Sequence, residues 1–207
     1  MSSQLAAYRS DFQALKEDAA RLVADVDDST LLTSPTEGAW SVVQIFDHLN
    51  TTGRPLLNAL EAAIQDAQET GPYGEPPFEY GVVSRWFIHA MQPSSGWVLP
   101  APPSLQPEPS ATLSPSAPLQ DFRDLQDQFA DCVTSAEGLD LRRIRIPSPA
   151  LPFFRFSLGA WFEATIAHER RHFEQARRCL STLDSTSVKE NSESGGDRDP
   201  QGQSPLR

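Results

Sequence analysis

Apolar residues recur at three- and four-residue steps through Leu5, Tyr8, Phe12, Leu15, Ala19, Leu22 and Val26. One stripe of this kind predicts a first helix over residues 4–26, closed by the polar run 27–30 and a turn at Ser34-Pro35. Trp40-Ser41 opens a second helix, with Ser41 as N-cap and Gln44, three residues on, as its capping-box partner. Val42, Ile45, Phe46, Leu49, Leu56, Leu57, Leu60 and Ile64 form its buried side. Gly53 and Pro55 interrupt that pattern and predict a kink near residues 51–54.

A third helix is predicted over residues 119–137, with Phe122, Leu125, Phe129, Cys132 and Val133 on one side and Gly138 placed to end it. Residues 139–156 read as an irregular, basic link. Residues 158–183 form the fourth and most clearly patterned helix. Between the second and third helices, residues 71–118 hold most of the chain's eighteen prolines, clustered at Pro76-Pro77 and between Pro100 and Pro103. The aromatic segment 86–91 breaks this stretch and predicts a brief helix. So long a connection is uncommon inside a compact domain. It is long enough to cross the molecule or to drape over a cavity mouth.

Four long amphipathic helices without a βαβ rhythm predict an all-α four-helix bundle over residues 1–183. Residues 184–207 are rich in Ser, Gly and charge and lack aromatics, which predicts a disordered polar tail. Composition agrees with this division. Hydrophobic residues make up only 39% of 207 residues, so the deficit must sit in segments that do not pack. A net charge of -11 and a pI near 4.7 disfavour binding to phosphate backbones and anionic lipid surfaces. No nucleic-acid or membrane partner is therefore expected. With no long apolar run and no apolar leader core, the expected location is cytoplasmic. Two cysteines, Cys132 and Cys179, are too few for a disulfide framework and read as buried helical thiols.

The candidate chemistry lies in the histidines, of which there are four. His168 and His172 are i and i+4, on one helical face about 6 Å apart. They share a stripe with Trp161, Thr165, Ala176 and Cys179 that points into the bundle. Two imidazoles on a buried stripe are costly without a partner, and a shared metal ion supplies one. Their coordination is incomplete, and His48 on the second helix is the natural third ligand, since ligands from facing helices converge in bundle cores. Three imidazoles leave a position for water or substrate, the pattern of catalytic zinc; imidazole also suits nickel, iron and copper. His89, in the aromatic segment, reads as a partly buried polar residue or as a contact at a cavity rim.

The string His168-Glu169-Arg170-Arg171-His172 also matches H-E-x-x-H, in which the Glu of a metalloprotease is the general base. Two arginines inside the motif and the lack of a downstream third ligand argue against a protease. Glu169 is instead expected near the outer side of its helix, paired with arginine. Arg170, Arg171, Arg177 and Arg178 read as a solvated face that complements the helix dipole, or as a pocket for an anionic group. No catalytic residue is assigned.

The segment from Trp40-Ser41 to Asp47-His48-Leu49 resembles the W-S-x-x-x-x-x-x-H-L motif of DinB-like (YfiT-like) proteins. The segment Thr165 to Gln175 is similar to their closing H-x-x-x-H-x-x-Q helix. The prolines at 100, 102, 103 and 107 resemble the crossover of one branch of that family. The resemblance spans roughly residues 4–183. It implies an up-up-down-down four-helix bundle, a divalent metal (zinc or nickel) on His48, His168 and His172, and a homodimer. Characterised relatives include thiol transferases and isomerases that use a low-molecular-weight thiol. The leading expectation is thus a metal-dependent thiol S-transferase acting on a small molecule. The alternatives are a non-catalytic metal-binding or dimeric regulatory bundle, and a metal-dependent hydrolase.

Overall fold

The computed structural model describes residues 1–96, 101–149 and 153–194. Among these, six α-helices and one two-stranded sheet make an all-α protein, as the sequence predicts. The first helix, α1 (Ser3–Val23), is capped by the Ser2 hydroxyl and buries Leu5, Tyr8, Phe12, Leu15 and Ala19. Residues 27–30 do not merely close it. The Asp27 carboxylate accepts from the backbone N–H of Thr30 and so caps a short second helix, α2 (Asp28–Leu32).

The long helix α3 (Val42–Thr70) starts at the expected capping box, with both Ser41–Gln44 hydrogen bonds present. It runs unbroken through residues 51–54, with Pro55 inside it. Gly53 serves close packing there: a Cβ at that position would stand 2.7 Å from Cδ2 of Leu125. The predicted brief helix is α4 (Val82–Met91), one turn longer than the aromatic segment. Its Phe87 stacks on Phe156 at 4.0 Å and meets Trp161 edge-on at 5.2 Å. Helix α5 (Ala117–Ser135) is followed by Gly138 in the left-handed region at φ 82°, where only glycine is comfortable.

The link expected to be irregular contains a small antiparallel ladder, β1 (Arg145–Pro147) with β2 (Arg155–Ser157), in which Ile146 faces Phe156. Strands of three residues carry too little alternation to be read in advance. The last helix, α6 (Leu158–Ser194), continues through residues 184–194 of the segment expected to be tail. The remainder of that segment, 195–207, lies outside the described residues, as does Pro100 of the loop.

Helices α1 and α3 each pack on both α5 and α6. Phe12 stacks on Phe129 at 5.0 Å and meets Phe162 at 6.4 Å, joining α1 to α5 and α6. Phe173 of α6 lies 5.7 Å from both Phe46 of α3 and Phe122 of α5. This aromatic core fixes α3 against α6, and with it the candidate site. No helix of the described residues is long and apolar enough to cross a membrane.

Candidate metal centre

His48 stands two turns into α3, and His168 and His172 lie on consecutive turns of α6. The structure brings these three together, with one ring nitrogen from each inside a common 4.8 Å span. His48 is buried, whereas His168 and His172 are half-buried and keep some access to solvent. Nε2 of His168 and Nε2 of His172 lie 3.1 Å apart. Two ring nitrogens this close need a shared proton or a shared ion. A single ion bound at about 2.0–2.1 Å from each would leave about this spacing.

Two of the rings are oriented from behind. Nδ1 of His48 lies 2.6 Å from the carbonyl oxygen of Leu105. A carbonyl can only accept, so Nδ1 carries the proton and Nε2 keeps its lone pair. His172 Nδ1 donates to Oε1 of Gln175 at 2.9 Å, which likewise leaves Nε2 bare. Burial lowers the basicity of all three. It acts first on His168, held well below the usual range, where the neighbouring charges of His172, His48 and Arg171 add to it. Burial and His48 bring His172 down to about 3 against the opposing Gln175 bond. Burial also lowers His48, opposed by the Leu105 bond and by Asp47. Neutral imidazoles at pH 7 are ready ligands, with no proton to displace.

Trp40, just ahead of the Ser41 cap, forms a wall of the cluster. Its ring centroid lies 4.8 Å from that of His48 and 6.2 Å from that of His172, nearly parallel to the latter. In the sequence Trp40 opens the helix and begins the W-S…H-L motif, and neither feature places it against the histidines. Its nearness to the histidines follows from the chain direction before the cap, which side-chain periodicity does not encode.

His89 is exposed on α4 and pairs with Gln92, and it is not part of the three-histidine cluster. Arg170 binds Asp11 at 2.6 Å, and Arg177 lies 4.0 Å from Asp18, so both tie α6 to α1. Arg171 donates to the carbonyl of Ala90. A cavity of about 590 Å³ is lined by Tyr8, Ile88, Glu163, Ile166 and Arg170 among others, and by none of the three histidines.

Glu169 corrects the sequence reading. It is 1% exposed and accepts from the Gln126 amide of α5 at 3.2 Å rather than pairing with arginine outside. The reason is helical phase. Phe162, Ile166, Glu169 and Phe173 form a second buried stripe beside the histidine stripe, because several elements pack around α6. Burial pushes the carboxyl up to about 8. Facing Gln126, it is turned from the role that H-E-x-x-H would give it. Cys132 and Cys179 are free, buried thiols, as expected.

The fold and the cluster together define an all-helical protein whose three converging histidines could hold a metal ion. A family model described as the DinB superfamily matches residues 11–176, four-fifths of the chain. The chain belongs to the DinB superfamily. No curated protein and no solved structure matched it.

Proposed function

We propose that the protein is a metal-dependent S-transferase that binds one divalent ion, zinc or nickel, on His48, His168 and His172 and joins a low-molecular-weight thiol, through its sulfur, to a small-molecule substrate. The observation that carries the metal reading is the 3.1 Å approach of two Nε2 atoms on half-buried rings, joined by a third imidazole. Neutral nitrogen donors fit zinc and nickel, and the fixed tautomers of His48 and His172 suit ligation through Nε2. When bound, a divalent ion lowers the pKa of a coordinated thiol and holds it as the nucleophilic anion.

The chain's own residues would then bind and orient. His48 and His172 stay locked by Leu105 and Gln175, and Trp40 walls one side of the space. Cys132 and Cys179 are buried, so the sulfur nucleophile must come from outside. Transfer joins that sulfur to an electrophilic carbon, breaks the bond from carbon to its leaving group, and releases the thiol proton to solvent. The mutual contacts of α1 and α3 with α5 and α6 support an up-up-down-down order, in which every adjacent pair is antiparallel.

A second reading has its own support. Trp40 packs against both His48 and His172, at 4.8 and 6.2 Å between ring centroids, as the wall of a closed, non-catalytic metal site would. Cobalt-loaded protein titrated with small thiols separates the two. A thiol-dependent change in the cobalt absorption supports the transferase, and a stable spectrum with cobalt bound supports the non-catalytic bundle.

A further inference from the structure

The proline-rich segment after residue 100 is fastened to the first two turns of α3 by a row of polar contacts. Ser110 shares a hydrogen bond with Ser41 at 2.9 Å, and the carbonyl of Glu108 accepts from the Gln44 amide at 3.1 Å. The backbone N–H of Glu108 donates to Oδ2 of Asp47 at 2.8 Å, and the carbonyl of Leu105 accepts from His48 at 2.6 Å. Ser41, Gln44, Asp47 and His48 follow one another at i, i+3, i+6 and i+7, so a single face of α3 holds the whole strap. Its stiffness is built in. Pro107 and Pro109 flank Glu108, and the turn that closes with Leu105 N–H on the carbonyl of Pro102 at 2.8 Å fixes the other side of Leu105.

We propose that Asp47 is a positioning residue for the metal site, acting through the strap. By gripping the Glu108 amide, three residues beyond Leu105, it keeps the Leu105 carbonyl on Nδ1 of His48 and so presents Nε2 to the ion. Outer partners of ligating histidines fix tautomer and ring orientation, and losing them costs about 10- to 100-fold in metal affinity. The inference rests on the reading of the triad as a metal site.

The test compares zinc affinity, by competition with a chelating dye, in wild type, Asp47→Ala, Asp47→Asn and Glu108→Pro. Backbone hydrogen exchange is followed in the metal-free proteins, with circular dichroism confirming the helical fold. Asparagine keeps the acceptor and removes the charge, so Asp47→Asn should bind zinc within about 3-fold of wild type. Asp47→Ala should weaken binding about 10-fold or more and expose residues 105–110 to exchange. Glu108→Pro deletes the same hydrogen bond from the other side and should lose as much. The double variant should lose no more than either single one. Zinc binding unchanged in Asp47→Ala, equal losses in Asp47→Asn and Asp47→Ala, or additive losses in the double variant overturn the proposal. Failure of wild type to bind zinc is a separate outcome; it removes the metal reading, and this inference with it.

Discussion

Gln126 of α5 and Glu169 of α6 meet in the protein interior, the amide donating to the carboxyl across 3.2 Å. Both side chains are 1% exposed, and Oε1 of Gln126 and Oε2 of Glu169 have no hydrogen-bond partner among the described residues. A charged carboxylate is expensive there, whereas a protonated one supplies the donor that these two acceptors need. That is the physical content of a carboxyl raised to about 8.

Stability should therefore depend on pH in part through this side chain. Between about 4.5, the ordinary glutamate value, and about 8, the folded protein keeps a proton that the unfolded chain releases. The contribution is whole below the lower value and is lost as pH rises through the upper one. Glu169→Gln is neutral at every pH and can complete the amide pair. In denaturant titrations of metal-free protein, its advantage over wild type should grow by up to roughly 1.4 kcal/mol per pH unit across that window. A difference that does not vary between pH 5 and pH 8 would count against a buried, protonated Glu169.

The start of α6 depends on a missing side chain. A Cβ on Gly159 would stand 1.8 Å from the hydroxyl of Tyr80, which pairs at 3.0 Å with that of Tyr8. Tyr8 in turn donates to Glu163 at 2.5 Å. Gly159→Ala must displace the Tyr80 ring and break this chain. A loss of about 1–3 kcal/mol is expected despite alanine's better helix propensity, measured by thermal or urea unfolding. Unchanged stability would mean that Tyr80 moves aside freely.

Neither cysteine should behave as a reactive thiol. Cys132 is pushed up to about 12, first by burial and then by Glu61, and burial also raises Cys179. Thiolate is the reactive form. A disulfide dye should label the native protein slowly and label both thiols at once when it is unfolded. Fast labelling of native protein at pH 7 would contradict the packing.

The four long helices were legible because each carries one clear apolar stripe, and His168 and His172 because i, i+4 needs only helical geometry. His48 was reached through the need for a third ligand and the W-S…H-L resemblance. Glu169 was misread because α6 buries two adjacent stripes, and a single-stripe reading turns the second one outward. The strap escaped notice for a different reason: its contacts with His48 and Asp47 use the backbone of Leu105 and Glu108. Side-chain patterning does not report which carbonyl a proline-rich segment will lay against a helix. The hairpin at Ile146 and Phe156 was hidden by strands of three residues with proline at one edge.

The central claim is that three imidazoles form one metal site, and metal content measures it most directly. Elemental analysis of purified protein reloaded with zinc or nickel and then desalted should find about one ion per chain. His48→Ala, His168→Ala and His172→Ala, each folded by circular dichroism, should each lose most of it. Wild type that retains no ion after loading with either metal, or single-histidine variants that retain as much as wild type, would contradict the account.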